Sequence, residues 1–158
     1  MSKDSLQDTI DVIAERAAKL FDQHGEVTPV YVVRAGNGQE VVFERPPGDK
    51  DTAVTIVRAV LRMYRATRVV TVTEAWMLDR PTTPVDLDKI AREGVEAQPE
   101  RIEVVLIMGE DAAEGAIMAR MQIIRDGGHA RLGPLKCSRH DASEGRMVGL
   151  LPHEGTAH

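Results

Sequence analysis

Large rings are almost missing from this 158-residue chain: aromatics make up 3% of it, with one Trp, two Tyr and two Phe. Its core must therefore be built from Val, Ile, Leu, Ala and the 7 Met, which fill space adaptably but supply few large anchors. The single cysteine, Cys137, excludes an internal disulfide and points to a reducing, cytoplasmic setting. No apolar run approaches the ~20 residues that cross a bilayer. The opening MSKDSLQDTI lacks the basic-then-apolar layout of a signal peptide, so no membrane partner is expected. Positive charge is not in excess either. A formal net charge of −5 argues against general attraction to nucleic acid.

Signatures of chemistry are equally scarce. Cys137 and His140 stand three apart, with His129 and His153 on either side, but there is no C-x-x-C, no H-E-x-x-H and no zinc-deaminase pattern. The expected reading is a polar loop with a free thiol, without metal or cofactor. Gly36-Asn37-Gly38 has the first part of a dinucleotide fingerprint, yet the third glycine is missing and a strand pattern follows. A hairpin turn explains it better.

What is present is ordinary globular material, 42% hydrophobic and 28% charged, of a length suited to one domain. Leu6, Ile10, Ile13, Ala17 and Leu20 recur at helical spacing, predicting a helix over 5–23. Ser5 and Asp8 make a capping box in front, and Gly25 closes it. TPVYVVRA (28–35) and QEVVFE (39–44) flank Asn37-Gly38 as a hairpin. RPPGDK (45–50) breaks the chain before a second helix over 51–66, capped by Asp49 or Asp51. Strands are expected at 68–78 and 101–108, with a short helix over 85–93 in the long connection between them. Residues 112–126 fit either period. Gly115 weakens a helix there, and Asp126-Gly127-Gly128 then turns into ARLGPL (130–135), so a strand is expected.

Helix, hairpin, helix and then strands suggest an α+β domain: one mixed, mainly antiparallel sheet with its helices packed on it. The domain is expected to span 1–136. Residues 137–158 form a C-terminal extension, partly docked or flexible, with MVGLLP (147–152) as the docking segment.

One feature of the 68–78 strand is odd. Alternation puts Val70, Val72, Glu74, Trp76 and Leu78 on one face, the more apolar one, which should meet the helices. A carboxylate in that layer must gain a partner, gain hydrogen bonds or take up a proton. Three readings compete, in this order: an ion pair with Arg101 or Arg120; a strand end that tips Glu74 into water; and a ligand-binding or catalytic carboxylate beside Trp76. Glu103 lies on the neighbouring strand, in a register the sequence does not fix. Glu74, Trp76, Asp79, Arg80 and Arg101 are the candidate ligand-binding residues, because that strand runs into a long loop.

VTEAWM (72–77), PERIEVVLIMGEDAAEG (99–115), IIRDG (123–127) and LGPL (132–135) resemble a group of small uncharacterised bacterial and phage-type proteins. These carry an "SEAWM" strand, a "P-D-R-x-E-V" strand start and a final "R-D-G" and "L-G-P-L". Thr73 stands here in the Ser place and Glu100 in the Asp place. The resemblance covers roughly residues 25–136. It implies strands in 101–125 and carries no activity with it.

The functional expectation is a non-enzymatic domain that binds a small molecule or protein partner, as a homodimer. A small enzyme using Glu74 as acid or base is the alternative. Nucleic-acid binding through Arg58, Arg62 and Arg65 ranks third and is not expected in so acidic a chain.

Overall fold

The computed structural model describes residues 4–78, 84–140 and 150–151. Among these, three helices and seven strands alternate as α1 (Leu6–His24), β1 (Val30–Arg34), β2 (Glu40–Glu44), α2 (Lys50–Met63), β3 (Arg68–Leu78), α3 (Pro84–Glu93), β4 (Arg101–Asp111), β5 (Gly115–Asp126), β6 (His129–Leu132) and β7 (Lys136–His140). The strands form one sheet in the order β2-β1-β3-β4-β5-β6, with β7 also on β5. Every neighbouring pair is antiparallel. The protein is therefore an α+β domain built on a single sheet, with no parallel neighbours among the described strands. β2 and β3, which α2 connects, run the same way but have β1 between them.

Local chemistry sets the element ends. The Ser5 hydroxyl accepts from the Asp8 amide and the Asp8 carboxylate accepts from the Ser5 amide, a reciprocal cap for α1. Asp49 caps α2 through the Thr52 amide. α2 stops at Met63, three residues before the expected end. Arg65 there takes φ 51, a left-handed position usually given to glycine, and the Ala66 amide reaches back to the Leu61 carbonyl. Arg65 thus leaves the helix, while Arg58 and Arg62 remain exposed on it.

Helices lie on both sides of the sheet, whereas the alternation in β3 pointed to one. On one side Leu6, Ile10, Ile13, Ala14, Ala17 and Phe21 of α1 pack on Val70, Val72, Val105, Ile107, Ile117, Ala119 and Met121. Each large side chain buried this way contributes about 1.5–3 kcal/mol. The helix sits down on Gly109, where a Cβ would meet Leu6 Cδ1 and Ile10 Cδ1, each at 2.9 Å. On the other side Val54, Val57 and Leu61 of α2 pack on Tyr31, Val33 and Val69, together with Leu150 and Leu151.

The ambiguous 112–126 stretch is a strand. Gly115 has φ 84, outside helical space, and β5 pairs with β4 on one side and with β6 and β7 on the other. The sheet also continues past residue 136. Lys136–His140 pairs along β5, with Cys137 opposite Ala119, so the expected polar loop is a strand. Of the expected docking segment, Leu150 and Leu151 are buried, and their amides donate to the Glu110 carboxylate at 3.0 and 3.1 Å. The rest of 141–158 lies outside the described residues.

Candidate functional site

β3 delivers Glu74 and Trp76 to the α1 side of the sheet, as alternation requires. Glu74 stands opposite Val105, Trp76 opposite Glu103, and Leu78 opposite Arg101. Glu74 is half-buried. Its Oε2 accepts from the Val27 amide at 3.0 Å, just after α1 ends. The expected ion pair is not formed. Arg101 instead lies over the Trp76 ring at 4.9 Å and donates to the Gln98 carbonyl. Arg120 projects from the other side of the sheet and donates to Met77 Sδ. Glu74 gained a backbone hydrogen bond in place of an ion pair with Arg101 or Arg120, with the charge of Arg125 nearby. Asp79 and Arg80 lie outside the described residues.

Glu103 shares this face and is held by Arg125, which donates to both its oxygens at 3.1 and 2.9 Å. That hydrogen bonding holds the Glu103 carboxyl below the usual carboxylate range, against the opposing effect of partial burial, and the charges of Arg125 and Arg101 assist. A carboxylate held ionised in this way is a poor general acid. Trp76 is 42% exposed, so this end of the sheet is an open surface of ring and charges.

The opposite end of the same face is closed. Arg68 is 3% exposed. It donates to Asp111 at 2.7 Å, Glu114 at 2.8 Å, Thr9 at 2.6 Å and the Asp4 carbonyl at 3.1 Å. Glu114 also accepts from the Leu6 amide, the first of α1. Burial pushes the Asp111 carboxyl up, but the Ala113 amide, Arg68 and the Glu114 amide together bring it below its ordinary value. This is a structural joint pinning the start of α1 to the β4–β5 turn.

A concave site is found on the α2 side. A cleft of about 380 Å³ opens between the first turn of α2 and the start of β1, lined by Tyr31, Arg45, Lys50, Ala53, Val54 and Thr71, with Pro29, Val30 and residues 72–75 completing it. Its size lies in the ordinary range for small-molecule sites. The Tyr31 ring stacks on Phe43, with centroids 5.2 Å apart. Burial pushes the Tyr31 phenol up, and the nearby Arg45 charge partly opposes this. Thr71 is 4% exposed, and its hydroxyl makes no hydrogen bond within the protein among the described residues. Glu74 lines the cleft along β3, while its carboxylate is engaged by Val27.

The structure therefore brings Glu74, Trp76 and Arg101 onto one face without enclosing them, and Trp76 and Arg101 do not line this cleft. Sequence reasoning missed Tyr31, Arg45, Lys50 and Thr71 as a group. RPPGDK reads as a break, and only the docking of β3 beside β1 shows what Arg45 and Lys50 overlook. A second, wider groove of about 810 Å³ runs between α1 and the β1–β2 hairpin, with Val12, Leu20, Val30, Val32 and Val42 along it and Arg16, Arg34, Glu26 and Glu40 among its polar residues. Among the described residues no group of three or more His, Cys, Asp or Glu side chains is arranged to hold a metal ion. No described helix is long and apolar enough to cross a membrane.

No protein-family model, curated protein or solved structure matches the chain. A functional reading therefore rests on the sites themselves.

Proposed function

We propose that the protein is a non-enzymatic binding domain that holds a small ligand in the cleft at the start of α2. The observation that carries this reading is the Thr71 hydroxyl. A buried hydroxyl without a partner costs free energy that a hydrogen-bonding ligand would recover. The carboxylates at the Trp76 end favour binding over acid–base work, since Glu74 is engaged by a backbone amide and Glu103 by Arg125. The test is a thermal-shift screen against a metabolite library. At least one small molecule should raise the melting temperature of the native chain, and Thr71→Val should weaken that response while remaining folded. Turnover of any library member that disappears in Glu74→Gln would overturn the non-enzymatic reading.

A second reading, a homodimer, is favoured by the wider groove. Val12, Leu20 and Val42 are exposed together along it, and clustered exposed apolar residues mark contact surfaces. Sedimentation should give a dimer that Val42→Lys dissociates; a monomer at all concentrations removes this reading. The exposed Cys137 thiol suits a reducing cytoplasm.

A further inference from the structure

We infer that the cleft at the start of α2 takes a small organic carboxylate with an apolar body, its charged end at Arg45 and Lys50 and its body against Tyr31, Ala53 and Val54. This rests on the binding reading above and adds the chemical class. Four observations support it. Arg45 and Lys50 both line the cleft, and neither has a carboxylate partner among the described residues. Two cations beside one concavity, in a chain of net charge −5, attract an anion locally where the molecule as a whole repels it. The walls between them and Thr71 are largely aliphatic and aromatic, so a bare inorganic anion would leave them uncovered. The Thr71 hydroxyl, buried and without a hydrogen-bond partner among the described residues, supplies one hydrogen bond to a polar atom on the ligand body.

Charge fixes the direction of the ligand. The two cations of the lining are Arg45 and Lys50, which follow β2 and open α2, so the anionic end is directed towards them. Arg45 is also close enough to Tyr31 for its charge to act on the phenol. Guanidinium and ammonium together hold a carboxylate by charge-assisted hydrogen bonds, stronger than the neutral ones an amide would make.

The test is a matched series titrated into the native chain by calorimetry, with amide chemical shifts to locate binding: benzoate and hexanoate, their neutral amides, the corresponding amines, and inorganic phosphate. The carboxylates should bind about tenfold or more tighter than their amides, a difference of about 1.4 kcal/mol. Shifts should centre on Tyr31, Ala53 and Thr71. Arg45→Gln and Lys50→Gln are surface changes that should fold normally and remove the preference while sparing the amides. Thr71→Val should melt higher without ligand yet bind carboxylates more weakly. Equal binding of carboxylate and amide, tighter binding of the amines, or binding of phosphate alone overturns the carboxylate class and leaves the binding reading standing. No binding at the cleft by any member of the series, together with no hit in the library screen, overturns both.

Discussion

The two ends of β3 carry charge on the same face and treat it in opposite ways. At the Arg68 end a guanidinium is buried and answered by two carboxylates, a hydroxyl and two backbone carbonyls. At the Trp76 end two arginines and two glutamates lie on a half-open surface, in smaller contacts linked only by charge. The difference is what covers them. α1 begins over Arg68 and ends before Trp76, so one cluster is removed from water and the other is not. Buried charge is expensive to orphan, whereas exposed charge is cheap to rearrange.

Mutations should break that contrast in a definite order. Arg68→Ala should cost about 3–5 kcal/mol by urea denaturation, because Asp111 and Glu114 keep their charge and lose the guanidinium that pairs them. A loss below about 1 kcal/mol would mean that the joint is not what anchors α1. Gly109→Ala intrudes on the seat of α1 beside that joint and should cost about 1–3 kcal/mol, since Leu6 and Ile10 are fully buried and have to shift.

Acid should act on the same contrast. Asp111 and Glu103 both have their carboxyls depressed in the folded state. Their contributions are complete above the unfolded values, about 4, and fade as pH falls below that, through the folded values. Asp111→Asn should therefore flatten the loss of stability on acidification more than Arg125→Gln does, because Asp111 is nearly buried and the Arg125 partner is mostly exposed. Melting temperatures between about pH 5 and 3 would show it, and the reverse ranking would contradict it. The smallest effect belongs to Arg101→Ala. An exposed guanidinium over a ring is worth about 0.5–1 kcal/mol, and emission from the only tryptophan should shift to the red as Trp76 is uncovered.

Much of the sheet was legible because its signals are local. Ser5 with Asp8, Asn37 with Gly38, and the alternation from Arg68 to Leu78 act within a few residues, and those elements formed where expected. Gly115 resolved an ambiguous stretch for the same reason. β7 was not legible: Lys136-Cys137-Ser138-Arg139-His140 has no apolar alternation, and it is a strand because β5 offers it an edge. The candidate site divided in the same way. Sequence alternation placed Glu74 and Trp76 on one face, but the amide that satisfies Glu74 comes from Val27, 47 residues earlier. No local signal marks Arg68 as a buried joint, since its carboxylates lie 43 and 46 residues downstream. The cleft required β1, β2, α2 and β3 together, and no window of sequence contains that juxtaposition.

The clasp of Leu150 and Leu151 on Glu110 has a consequence for synthesis. A ribosome releases the middle of the sheet first, and the two amides that quiet the Glu110 charge follow about 40 residues later. Until they arrive, the Glu110 carboxylate is left to water, so the final drying and locking of that layer waits for almost the last part of the chain described here to emerge.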